Sequence, residues 1–212
     1  MPVMLSAFRW VPEFAQGHVK DLRVRWALEE AGVPYDVTLI DPAIQKSAAY
    51  RAWQPFGQVP AYRDDDVEMF ESGAIVLHIA AASEALAPKN ATGRARVASW
   101  VFAATTSLEP HVQNYNFLPE GDNEERRAQM KSRLKERLDA VSTWLGDRDY
   151  LEDRFSAGDL VMSTVLRDAA ASGLLKQLPN LDAYHQRCEA RPAFGRALQA
   201  QMQPFRDNAP AG

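Results

Sequence analysis

The stretch Gln54-Pro55-Phe56-Gly57-Gln58-Val59-Pro60-Ala61-Tyr62, with its sequel Met69-Phe70-Glu71-Ser72-Gly73-Ala74-Ile75, constrains this chain more than any other. Its first part reads as a loop running into a short strand with Pro60 at the entry. Proline has no N–H to give to a sheet ladder, so it is confined to strand entries and edges. A cis bond before Pro60 would turn the N–H and C=O of Val59 outward, free to pair with a ligand that mimics a strand. Three aspartates, Asp64 to Asp66, then mark a turn, a second strand runs from about Val67 to Phe70, and Glu71-Ser72 opens a helix. The first N–H groups of a helix lack intrahelical partners and sit at the positive end of its dipole, so they bind a carboxylate. An extended backbone edge beside an anion seat is the layout that holds a small acidic peptide.

The remaining elements can be placed around this stretch. Val3 to Phe8 is rich in apolar residues and reads as the first strand. The loop that follows, Arg9 to Asp21 with Pro12, Gly17 and His18, exceeds the ~2–6 residues of an ordinary strand-to-helix connection, and long loops in compact domains are often functional. A helix is expected from about Lys20 to Ala31, with Val24, Ala27, Leu28 and Ala31 on one face and Gly32 and Pro34 as its stop. Tyr35 to Ile40 is the second strand, Ala43 to Trp53 a short helix, and Ile75 to Ala82 completes the helix that Glu71-Ser72 opens. The hairpin across the aspartate turn makes the four-stranded sheet mixed.

Ser83 to Thr92, punctuated by Pro88 and Asn90, reads as a linker over 83–92 between an α/β domain at 1–82 and an all-helical domain at 93–212. In the second domain a long helix is expected over Arg94 to about Gln113, and Asn114 to Asn123 breaks it. Another helix, Glu124 to Leu145, should bury Met130, Leu134, Leu138, Val141 and Leu145. Ser156 and Asp159 form a capping box for a helix running to Ala171. Two short helices follow, Leu181 to Ala190 and Pro192 to Met202, with a frayed tail after Pro204.

Composition narrows the function classes. A net charge of −4 over 212 residues gives no general attraction to nucleic acid or to a membrane surface. Cys188 is the only cysteine, which excludes an internal disulfide framework and a cysteine metal cluster and suits a reducing cytoplasm. The opening Met1-Pro2-Val3-Met4-Leu5-Ser6 lacks the pattern of a signal peptide, and no apolar run approaches the ~20 residues of a membrane span.

The motifs resemble those of the glutathione transferase superfamily over nearly the whole chain. Gln54-Pro55-Phe56-Gly57-Gln58-Val59-Pro60 is similar to the family's Asn-Pro-x-Gly-x-Val-Pro signature, with Gln54 where asparagine is usual. Glu71-Ser72 followed by Ala74-Ile75 resembles its Glu-Ser-x-Ala-Ile motif, Leu22 to Glu30 its first helix, and Ser156-x-x-Asp159 the capping box of its helical domain. The resemblance implies an N-terminal thioredoxin-like domain followed by an all-helical C-terminal domain. It also implies glutathione as co-substrate, no metal, and a homodimer with Phe56 at the interface.

The resemblance assigns jobs as well. Val59 would pair its backbone with the cysteinyl part of glutathione beside Pro60, and Glu71 and Ser72 would hold the γ-glutamyl end. Lys46, with Gln45 as the alternative, would meet the glycyl carboxylate, and Gln58 would add a polar contact. The electrophile pocket would lie between the domains, with Trp10 from the loop after the first strand. Trp100, Ala104, Ser107 and His111 follow at helical intervals on the first long helix of the second domain.

The glutathione thiol needs a donor that stabilises its thiolate, because the thiolate is the nucleophile and a free thiol has a pKa of ~8.5. The family supplies a Tyr, Ser or Cys near the start of the first helix, yet none occurs from Ala7 to Trp26. Aligned on Arg23-Val24-Arg25, His18 stands where serine transferases carry their serine; Arg9 and the N–H groups at the helix start are the other candidates. Three functions follow: a detoxifying cytoplasmic transferase that conjugates glutathione to a small, apolar electrophile; a glutathione-dependent isomerase or dehalogenase; and a non-catalytic binding module built on the same fold.

Overall fold

Parallel strands need a crossover, and α1 (Asp21–Ala31) provides it between β1 (Val3–Phe8) and β2 (Tyr35–Ile40). In the computed structural model, which describes residues 2–119, 121 and 123–210, the two strands pair without a break from Val3↔Tyr35 to Phe8↔Ile40. β3 (Ala61–Arg63) then pairs antiparallel with β1, and β4 (Glu68–Phe70) antiparallel with β3, giving the order β2-β1-β3-β4. The expected mixed four-stranded sheet is present.

The single helix expected over 43–53 is two. Asp41 caps α2 (Pro42–Lys46) by accepting the N–H groups of Ala43 and Ile44, both at 2.9 Å. Ser47 then leaves the helical region (φ −68°, ψ 148°) and caps α3 (Ala48–Trp53) through Oγ, which accepts the Tyr50 N–H at 3.2 Å. A serine that offers its own acceptor to the backbone competes with helix continuation, and here it wins. After the hairpin, α4 (Ser72–Ala81) packs against α1.

Contacts divide the chain into two compact units, Met1–Leu86 with Arg191–Gly212, and Ala87–Ala190. The boundary at Leu86 falls inside the expected linker. The last helix, α10 (Pro192–Asp207), was expected in the helical domain but packs on α1 in the first unit. Three features hold it there: the Phe194 ring meets Trp26 edge-on at 4.8 Å, and Arg191 and Arg196 pair with Glu30 and Glu29. The third is Gln201, whose Nε2 donates to Asp21 at 2.6 Å. Held by α4 and α10, α1 buries every residue from Asp21 to Leu28. α10 also runs past Pro204, where fraying was expected. The lost N–H of Pro204 is offset by burial of Phe205, 2% exposed.

The second unit is helical. α5 (Ala91–Phe102) and α6 (Glu109–Asn116) were expected as one α-helix, but a π-helical segment, Ala103–Leu108, joins them. Pro110 has no N–H to give the Thr106 carbonyl. The Thr105 and Thr106 hydroxyls, moreover, donate back to the carbonyls of Val101 and Phe102, at 3.0 and 2.7 Å. Both weaken the α-helical ladder at that turn. α7 (Glu124–Leu145) buries Leu134, Leu138, Val141 and Leu145 as expected, while Met130 is only half-buried. α8 (Ala157–Ala169) opens on the expected capping box, and α9 (Pro179–Glu189) completes the unit.

Candidate functional site

The loop between α3 and β3 is fixed largely by its own polar groups. Gln54, 2% exposed, accepts the Phe56 N–H on Oε1 at 2.8 Å and the Gly57 N–H on its carbonyl at 2.9 Å. Gly57 has φ +65°, and a Cβ there would meet the Gln45 carbonyl oxygen at 3.0 Å, so glycine is required twice over. Trp53 Nε1 donates to the Tyr62 carbonyl at 3.1 Å. Val59 packs its side chain with Ile40 and Tyr50 in the core, the Val59–Pro60 bond is cis, and Pro60 is buried. The ladder begins one residue later, at Ala61. Among the described residues the Val59 N–H and C=O have no backbone partner.

The hairpin register sets a second group beside this edge. Ala61 pairs with Phe70, so Pro60, just before Ala61, and Glu71, just after Phe70, lie side by side at the same end of the hairpin. Glu71 holds φ +70° and ψ 110°, a positive φ that no other non-glycine among the described residues shows. Such a conformation costs on the order of 1–3 kcal/mol and clusters at ligand sites. Glu71 stands at the N-cap of α4 but makes no side-chain cap, so the first N–H groups of the helix are left for another acceptor. Ser72, 8% exposed, accepts a hydrogen bond on Oγ from Arg23 Nη1 of α1 at 3.3 Å. Arg23 itself is 2% exposed, so a guanidinium lies buried behind the start of α4.

Residues 15–81 match the family model described as glutathione S-transferase, N-terminal domain, and residues 83–192 match the glutathione S-transferase C-terminal domain. The chain belongs to the glutathione S-transferase family. Among its relatives is glutathione S-transferase GstA of Escherichia coli O157:H7, 30% identical over 183 residues, covering 82% of this chain and 90% of the relative. Two solved structures share the fold. A Burkholderia graminis glutathione transferase with two glutathione molecules per subunit superposes at TM-score 0.80 with 22% identity, covering 95% of this chain and 89% of that one. Populus trichocarpa glutathione transferase F2 gives 0.80 with 23% identity, covering 94% and 99%.

In this family member Gln54 does with a longer side chain what a short amide does in a turn, capping the loop through its oxygen. Gln58 is exposed, and its carbonyl accepts the Tyr50 hydroxyl at 2.5 Å. Lys46 is exposed at the end of α2, next to Gln45, whose carbonyl abuts Gly57. Phe56 is 65% exposed, its ring edge-on to Phe70 at 6.0 Å.

On the loop after β1, Glu13–Ala15 forms a 3-10 turn, His18 is exposed with its N–H donating to Ala15, and Trp10 is half-buried. Ser6 is excluded as thiol donor. It is 0% exposed, and its Oγ is bonded to the Tyr50 hydroxyl and the Ala61 N–H.

The residues nominated in the second unit fall into different surroundings. Trp100 donates its indole N–H to Glu152 at 2.8 Å, meets Trp144 at 5.3 Å and has its Cβ against Gly158, where any side chain would clash at 2.6 Å. Ala104 is fully buried, Ser107 exposed and His111 half-buried. Burial, with Arg137 and Arg133 nearby, holds the His111 imidazole below its ordinary pKa. A π turn takes about one residue more than an α turn, so the stripe read at α-helical spacing slips across Ala103–Leu108.

Arg23, Ser6 and Tyr50 carry roles that sequence reasoning did not assign. A usable signal did exist for Arg23, since Leu22-Arg23-Val24-Arg25-Trp26 sets charges between apolar residues on a helix too buried to have a solvent face.

Proposed function

We propose that this chain is a glutathione transferase that binds glutathione at the Val59 edge and the Glu71–Ser72 helix start, and adds its thiolate to a small electrophile. The observation that carries the reading is the register Ala61↔Phe70. It sets an unpaired backbone N–H and C=O beside an uncapped helix N-terminus with a buried arginine behind it. Glutathione has an extended peptide backbone and an α-carboxylate at its γ-glutamyl end, and these need those two groups. Val59 would hold the cysteinyl backbone, fixing where the sulfur lies. Ser72 and the α4 N–H groups would take the carboxylate, Glu71 the ammonium, and Lys46 or Gln45 the glycyl carboxylate.

Conjugation then requires loss of the thiol proton to solvent, attack of the sulfur on the electrophilic carbon, and departure of the leaving group. His18 is the proposed donor to the thiolate, as a neutral N–H or as an imidazolium that offsets its charge. A homodimer with the exposed Phe56 ring at its interface completes the proposal.

A second reading, a glutathione-binding module without turnover, is favoured by one observation. No Tyr, Ser or Cys lies from Ala7 to Trp26, and Ser6 is committed to the core. The test is retention on immobilised glutathione at neutral pH, followed by conjugation of an aryl halide. Retention with turnover is the expected result, retention without turnover selects the second reading, and no retention overturns both.

A further inference from the structure

Four groups, from β1, α3, the loop after α3 and β3, form one hydrogen-bonded chain around the Val59–Pro60 dipeptide, buried at its Ser6 end. The Ala61 N–H donates to Ser6 Oγ at 2.7 Å, Ser6 Oγ and the Tyr50 hydroxyl lie 2.8 Å apart, and the Tyr50 hydroxyl donates to the Gln58 carbonyl at 2.5 Å. Its polarity is fixed by its ends. A backbone N–H can only donate and a carbonyl can only accept, so Ser6 must donate to Tyr50 and Tyr50 to Gln58. Ser6 is 0% and Tyr50 4% exposed, so water does not compete with either hydroxyl.

We infer that Ser6 and Tyr50 are positioning residues for glutathione, acting through the Val59 amide. This rests on the reading of the site as a glutathione edge. The Gln58 carbonyl and the Val59 N–H belong to one peptide unit. A short hydrogen bond accepted by the carbonyl withdraws electron density from the amide and makes the N–H a stronger donor, and chained hydrogen bonds reinforce one another in this way. At the other end, the Ala61 N–H is held by Ser6. The relay therefore fixes the residues on both sides of the docking dipeptide and polarises the N–H that faces the ligand. Neither residue touches the ligand in this scheme.

Two substitutions test it. Tyr50→Phe removes one hydroxyl at nearly constant volume, and Ser6→Ala removes the other. In the ligand-free protein, amide NMR should show the Val59 proton moving upfield in both variants and the Ala61 proton moving in Ser6→Ala. A Val59 resonance that stays put overturns the relay whether or not glutathione binds.

In calorimetric titration, Tyr50→Phe should weaken glutathione binding about three- to tenfold, the equivalent of one neutral hydrogen bond. In kinetics the increase should fall on the KM for glutathione, not on that for the electrophile. A merely structural role would lower the melting temperature of both variants and leave that split unmoved. The double variant should lose less than the sum of the singles, because the two hydroxyls act in one chain; strict additivity overturns the coupling. If the amide shifts appear but Tyr50→Phe keeps wild-type affinity, the positioning role falls and the transferase reading stands. If the wild-type protein itself does not bind glutathione, the transferase reading falls and the positioning role falls with it.

Discussion

Replacing Ser72 by alanine separates holding the fold from holding the ligand. Ser72 Oγ accepts from Arg23 Nη1 at 3.3 Å, a long bond with a charged donor. A hydrogen bond to a charged group is worth about 1.5–3 kcal/mol when well made, so this one should contribute about 1 kcal/mol. Arg23 is 2% exposed and has further interactions, which keeps the stability loss near that value. For a chain of this length the melting temperature should fall by about 2–4 °C. The ligand term is larger. In the proposed pose Ser72 gives its hydroxyl and its N–H to the γ-glutamyl carboxylate, and losing the hydroxyl should weaken glutathione binding by about 1–3 kcal/mol, or about 5- to 150-fold. Calorimetric titration and thermal unfolding of Ser72→Ala and Ser72→Thr separate the two, because threonine keeps the hydroxyl and should recover most of the affinity. A lowered melting temperature with unchanged affinity would refute the assignment of Ser72 to the anion seat.

Three further predictions rest on separate observations. His18→Ala should lower turnover with an aryl halide while glutathione affinity barely moves; unaltered turnover in a stopped assay of conjugate would locate the thiolate donor elsewhere. For Asp64, burial pushes the pKa up, but hydrogen bonds from His78, the Asp66 and Val67 N–H groups and Tyr62 outweigh it and hold the carboxyl below its ordinary 3.8. A lowered folded pKa gives stability that is full above 3.8 and lost as pH falls below it, so Asp64→Asn should flatten the acid limb of a denaturant-unfolding series; an unchanged slope below about pH 4 counts against the network. Asp159→Ala removes a 0%-exposed carboxylate that accepts from Leu151, Ser156 and Tyr184, and should destabilise the protein by about 2–4 kcal/mol in urea unfolding, with a loss under 1 kcal/mol contradicting the capping box as a stabilising element.

Much of the fold was legible because local rules and tertiary packing agree. β1, β2 and α7 begin and end where apolar patterning and turn residues put them, and Ser156 with Asp159 forms the capping box that the spacing predicts. The departures occur where one polar group overrides a pattern. Ser47 cuts a helix in two by capping the second half, and Pro110 with two threonines widens a long helix into a π segment. The placement of α10 was not legible, because it depends on pairings some 160 to 180 residues apart, Arg191 with Glu30 and Gln201 with Asp21. No local pattern carries such information.

The candidate site divides along the same line. Its proposed binding half uses backbone groups, and the residues that shape that backbone are visible in the sequence: Gly57 for a positive φ against the Gln45 carbonyl, Pro60 at the strand entry, Ser72 at a helix start. The groups that hold those backbone atoms in place were hidden. Ser6 lies in a strand and Tyr50 in a helix, 44 residues apart, and each alone reads as an ordinary half-polar core residue. Only the fold shows that Ser6, in the middle of β1, turns its hydroxyl inward to Tyr50 and the Ala61 N–H. In the proposed reading its hydroxyl supports the Val59 edge, and the proposed thiolate donor is sought in the exposed loop that carries His18 or in the backbone N–H groups at the start of α1. On that proposal thiolate activation falls to the loop from Arg9 to Lys20 or the start of α1, and turnover should respond to that region far more than to any residue of the sheet.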